Sequence, residues 1–138
     1  MRYLSWALLA LASYTLVAPL VKLATAEIPS DVALLVANGM LVIGATVVVV
    51  ASDTAVVPYL TDSHAIYAYG AGICLTIGIL AYYRALAAGP VSVVVPIFGL
   101  FIVTSSIIGM AVLDEPLTAR KLAGIGFAIL AVYLTGVN

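Results

Sequence analysis

The chain has 138 residues, of which 65% are hydrophobic and 8% charged, with a formal net charge of −1 and a mean hydropathy of +1.28. A soluble domain carries roughly 25% charged residues, so a water-soluble globule is excluded, as are disordered, collagenous and disulfide-framework chains. Five scattered basic residues leave no nucleic-acid footprint, and one cysteine, Cys74, allows neither an internal disulfide nor a zinc cluster.

What remains is an all-α integral membrane protein with almost no mass outside the bilayer. A spanning helix takes about 20 apolar residues, and the sequence offers five such runs. The first covers residues 3–25 and is closed by Glu27, Pro29, Ser30 and Asp31. The second, 32–51, is apolar or small except for Asn38 and Thr46. A polar loop from Ser52 to His64 follows, and then the third run, 65–86, with Arg84 in its last turn. Gly89 and Pro90 break the helix. The fourth run, 91–113, carries no charge, and Asp114, Glu115 and Pro116 end it. The fifth, 118–137, opens with Arg120 and Lys121, with Thr118 as its expected N-cap. In hydrocarbon each backbone group must be paired internally, so even the β-branched stretch Thr46–Val50 is expected to be helical.

Arg2, the apolar run after it and Ala24-Thr25-Ala26 have some features of a secretory signal. The run is too long for one, contains Pro19 and carries Lys22 just before the would-be cleavage site. It is therefore expected to be retained as a span. The apolar surroundings of Cys74 point to a buried, inert thiol.

Residues Tyr83-Arg84-Ala85-Leu86-Ala87-Ala88-Gly89-Pro90-Val91-Ser92, Pro96, and Glu115-Pro116-Leu117-Thr118, with the later Gly124 and Gly136, resemble the second half of an EamA repeat of the drug/metabolite transporter superfamily. The first half fits more loosely, through Pro19, Lys22 and Ile28-Pro29. The resemblance covers essentially the whole chain and implies one five-helix repeat, residues 1–138 forming a single EamA-like membrane domain. Full-length EamA transporters carry two repeats, so the chain is similar to the single-repeat bacterial and archaeal members. The related small multidrug resistance proteins use a membrane-embedded Glu in their first helix. This first helix holds no acid, so proton-coupled export of organic cations through such a Glu does not transfer. The resemblance implies transport across a prokaryotic cell membrane and requires no cofactor.

No catalytic constellation accompanies these runs. The acids lie at helix ends or in loops, and His64 stands in a loop with no second histidine or cysteine beside it, so neither an enzyme nor a metal site is expected. Candidate solute contacts are the polar residues within the spans: Tyr14, Thr15, Asn38, Thr76, Tyr83 and Ser92, with Lys22. The hydroxyls either bond back to their own helix or bridge helices. Asn38 needs partners in hydrocarbon, either another helix or a solute. Lys22 either snorkels to the headgroups or lines a cavity and binds an anionic or carboxylate-bearing solute. Arg84 falls at the same membrane face, so the two would form one electropositive vestibule. Pro19 and Pro96 cannot donate to the carbonyls of Thr15 and Ser92, making both sites candidates for kinks or gates.

The leading expectation is a secondary transporter of small polar metabolites, amino-acid-like or anionic, working as a homodimer by alternating access. A non-transporting membrane subunit or scaffold, and a channel, are the alternatives. With five spans the termini lie on opposite sides, and the basic residues divide three (Arg2, Arg120, Lys121) against two (Lys22, Arg84). Orientation follows the Lys/Arg bias of short loops, and this bias is nearly nil. Either the adjacent Arg120 and Lys121 fix the N-terminal side as cytoplasmic and the dimer is parallel, or the chain inserts both ways round and pairs as an antiparallel dimer, which is the expectation adopted. C-terminal reporter fusions should be active on both sides of the membrane; activity on one side only would refute dual topology.

Overall fold

The computed structural model describes residues 2–112 and 118–136. All the secondary structure among them is helical: α1 (Arg2–Ala24), α2 (Ser30–Ala51), α3 (Val57–Leu60), α4 (Ala65–Ala88), α5 (Val91–Val112) and α6 (Ala119–Gly136). Asp114, Glu115, Pro116 and Leu117 lie outside the described residues. Four helices have the length and apolarity to cross a membrane, namely α1 from Tyr3, α2, α4 and α5. At 22 to 24 residues each and 1.5 Å per residue they reach about 33–36 Å, against a hydrocarbon core about 30 Å thick. The sequence reading of five spans is thus matched in four. The fifth run coincides with α6, whose 18 residues include Arg120 and Lys121 in the first turn; it is not among these four.

The helix borders follow from local chemistry. Pro29 and Pro90 each stand just before a helix, where a missing N–H costs no intrahelical bond. The Pro29 carbonyl accepts from the amides of Val32 and Ala33, both at 3.0 Å, and the Pro90 carbonyl from Val93 and Val94 at 3.1 and 3.0 Å. α2 ends in a Schellman motif: Thr54 N–H donates to the Val49 carbonyl and Asp53 N–H to that of Val50. Asp53 holds the left-handed position with φ 50°, a conformation that a short polar side chain tolerates better than most. The loop from Ser52 to His64 contains α3, which the sequence reading did not anticipate. Pro58 in its first turn is pre-set for a helix start, and the Tyr69 hydroxyl of α4 donates to the Leu60 carbonyl at 2.9 Å, tying the short helix down. Thr118 caps α6 as expected, its hydroxyl accepting from Lys121 N–H at 3.3 Å.

The chain forms two compact units, Met1–Ala88 and Gly89–Asn138. In the first, α4 packs against α1 and α2. Its buried residues are Ala18 and Val21 of α1, Ala33 of α2, and Tyr82, Tyr83 and Leu86 of α4. All six fall near the C-terminal ends of α1 and α4 and the start of α2, so this unit is enclosed at one end. The small side chains of Ala18 and Ala33 permit close helix approach there. Toward the other end, Trp6, Leu9, Leu41, Ile43, Ile73 and other large apolar side chains are exposed. Cys74 is exposed as well, not buried: an apolar neighbourhood in sequence does not enclose a side chain on a helix that is apolar all round. In the second unit α5 packs against α6, and Val103 is buried.

Leu86 has no exposed surface at all. Leu86→Ala should destabilise the first unit by about 2–5 kcal/mol through lost contacts and the cavity left behind. Thermal unfolding in detergent checks this, with Leu75→Ala on an exposed face of α4 as the near-neutral control.

Candidate functional site

The enclosed end of the first unit holds its chemically distinctive groups. The C-terminal carbonyls of α4 have no intrahelical donors. Lys22, in the last turn of α1, reaches them: its Nζ donates to the Leu86 carbonyl at 2.8 Å and to that of Ala87 at 3.3 Å. The cation therefore sits on the negative end of the α4 dipole. At the same end of α4, Arg84 donates through Nε and a terminal nitrogen to Asp31 Oδ1, both at 3.3 Å, and from that nitrogen to Oδ2 at 3.4 Å. Asp31 lies in the first turn of α2, where a negative charge suits the helix dipole. An exposed ion pair of this kind contributes about 0–1 kcal/mol. Lys22 is half-buried, whereas the side chains of Arg84 and Asp31 are exposed, so solvent screens the ion pair more than the Lys22 bonds.

The sequence reading placed Lys22 and Arg84 at one membrane face, and the structure brings both to this end. It differs on what they do. Arg84 pairs with Asp31 rather than only ending its helix, and Lys22 caps α4 rather than only reaching for headgroups. Sequence reasoning missed Asp31 and the α4 carbonyls as partners. The available signal was opposite charge at two helix ends on the same face, Asp31 opening α2 and Arg84 closing α4.

Tyr83 is buried at this same end. Thr15 lies seven residues before Lys22, Asn38 seven after Asp31 and Thr76 eight before Arg84, so at 1.5 Å per residue all three sit about 10–12 Å further along their helices. They lie at a similar depth, and Thr15 and Asn38 do not line the groove that Thr76 lines. The Thr15 hydroxyl donates to the Leu11 carbonyl at 2.7 Å and that of Thr76 to Gly72 at 2.8 Å. The Asn38 amide nitrogen donates to the Leu34 carbonyl at 3.0 Å. Each of these donors is thus turned onto its own helix. Thr76 also lines an open groove of about 480 Å³ along α4 with Ala68, Tyr69, Gly72, Ile73 and Ile77. Tyr14 is exposed. Ser92 and Pro96 belong to the second unit, Ser92 exposed and Pro96 half-buried. α1 continues through Pro19 and α5 through Pro96. The second unit has its own groove of about 260 Å³, lined by Ile102, Val103, Ser106, Met110, Lys121, Gly124, Ile125 and Ala128.

Among the described residues no group of three or more metal-ligating side chains exists. His64 is bound into a local turn: its N–H donates to Asp62 Oδ1 at 2.8 Å, and its Nδ1 lies 3.0 Å from the same oxygen.

This architecture of long apolar helices with charged residues at their ends, and without a catalytic constellation among the described residues, is that of a multi-pass membrane protein. The model of the EamA-like transporter family matches residues 1–137, and the chain belongs to that family, one of transporters rather than enzymes. No curated protein and no solved structure matches the chain.

The His64 amide, and after it the His64 ring, hold the Asp62 carboxyl below the ordinary aspartate range. A pKa lower in the folded state than in the unfolded one means that the turn's contribution is complete above the ordinary value and is lost as pH falls through the folded one. Carbon-13 NMR of the Asp62 carboxyl should give that depressed midpoint, and Ala or Ser at position 62 should remove the turn's acid sensitivity.

Proposed function

We propose that the protein is a secondary transporter of small polar metabolites, with anionic or amino-acid-like solutes as the favoured class, acting as an antiparallel homodimer by alternating access in a prokaryotic cell membrane. The observation that carries this reading, beyond family membership, is Lys22. The half-buried Lys22 in the last turn of a membrane helix, held by backbone carbonyls, is suited to receive a carboxylate, because a full negative charge attracts the ammonium more strongly than a carbonyl dipole does. In this reading α6 is the fifth span, the chain is one repeat, and Pro19 and Pro96 serve as sites of bending.

The exposed apolar faces of α1, α2 and α4 support the dimer. They meet lipid or a second copy. Inverted pairs of such repeats build the solute pathway in many transporters, and a closed twofold dimer is the commonest oligomer. Thr15, Asn38 and Thr76, at one depth in the first unit, supply polar groups near the middle of that pathway.

Purified protein in liposomes should take up or exchange members of a panel of carboxylates and amino acids with saturable kinetics. Lys22→Ala should cut flux of acidic solutes at least tenfold while the dimer stays assembled, and Lys22→Arg should retain part of it. No flux across the panel, conductance without saturation, or a stoichiometric foreign partner in place of the homodimer would each overturn the reading.

A further inference from the structure

At the enclosed end of the first unit, the ties that join α1 and α2 to α4 are charged: Lys22 on the carbonyls of Leu86 and Ala87, and Asp31 on Arg84. The buried side chains of the unit lie at this same end. Parting α4 from α1 and α2 therefore means breaking these polar links and uncovering a small cluster around Leu86.

We propose that these links form a latch that an anionic solute undoes. The proposal rests on the transport reading for its physiological purpose, but the latch is a property of the unit itself. Leu86 and Ala87 offer Lys22 uncharged oxygens, and a carboxylate or phosphate offers charged ones to the same ammonium. An oxoacid with two oxygens also competes with Asp31 for the guanidinium of Arg84, whose fork matches such groups. With the latch shut, α4 carbonyls occupy positions on Lys22 that the anion needs. The anion therefore binds the open arrangement better, and a ligand shifts an equilibrium by its differential affinity for the two states. Anion binding and the release of α4 become one event, so recognition at Lys22 sets the helix free to move. A cationic or neutral solute lacks the group that displaces the carbonyls and leaves the latch shut.

The test uses the full chain in phosphatidylcholine nanodiscs, with Cys74→Ala and spin labels at Leu23→Cys and Ala88→Cys, two exposed positions flanking the latch. Pulsed electron paramagnetic resonance reads the distance between them. With Lys22 intact the distribution should be short and narrow. Acetate or inorganic phosphate should shift it longer and broader, and sodium chloride at matched ionic strength should not. Lys22→Met should give the long, broad distribution without anion and Asp31→Asn a smaller shift in the same direction, and acetate should add nothing to Lys22→Met. An unchanged distance on adding acetate and phosphate, or an equal shift with chloride, overturns the latch; the salt series needs no Lys22 variant and so stands even if Lys22→Met fails to fold. Distances that open while no solute is transported refute the transport reading alone. Robust flux of acidic solutes with a fixed distance refutes the latch alone.

Discussion

The ammonium of Lys22 on the last carbonyls of α4 is the contact on which the first unit depends. A helix that ends in or near hydrocarbon leaves carbonyls that water does not reach. In this chain a neighbouring helix supplies the donor from its own last turn. That bridge joins the C-terminal ends of α1 and α4, and the short Thr25–Pro29 link puts the start of α2 at the same end. The Asp31–Arg84 pair and the buried side chains of Ala33, Tyr82, Tyr83 and Leu86 lie at that same end.

Several other polar groups of the first unit bond within their own helix. Thr15, Thr46 and Thr76 each donate to the carbonyl four residues earlier, as does Asn38 through its amide nitrogen. This self-satisfaction lets a polar side chain exist in an apolar helix without fixing a neighbour. It also separates two classes of candidate residue. Lys22 and Arg84 bind across helices, whereas Thr15 and Thr76 lie on exposed faces with their oxygens still able to accept.

Much of this architecture was legible in the sequence, for reasons that differ from element to element. The runs were long and uncharged, and the bilayer permits only helices there, so α1, α2, α4 and α5 were readable from length and hydropathy. Pro29, the Gly89-Pro90 pair and Thr118 marked borders because each has a definite backbone consequence. The short α3 was hidden in a loop whose polar composition dominated the reading, with Pro58 as the cue that was present. Asp31 as the partner of Arg84 had a cue that went unused, opposite charges at two helix ends on one face, whereas the exposure of Cys74 was not readable. In α1 and α4 apolar residues surround the helix almost evenly, so no stripe reveals which side meets a neighbour. The destination of Lys22 was hidden for a related reason, since a lysine near a span end fits headgroups, a cavity and a helix terminus equally well until the helices are placed.

The confinement of burial to one end has a consequence for how such a sequence drifts over generations. Within a copy, steric selection falls on a short roster: Ala18, Val21, Ala33, Tyr82, Tyr83 and Leu86 in the first unit. Along the stretches of α1, α2 and α4 that face lipid rather than a second copy, one aliphatic side chain serves as well as another, so Leu, Ile and Val can interchange almost freely there. Two descendants of one ancestor would then soon lose residue-by-residue identity over most of their length while keeping helix lengths, border prolines and the charged end. Kinship among chains of this design is carried by spacing and punctuation more than by matched letters.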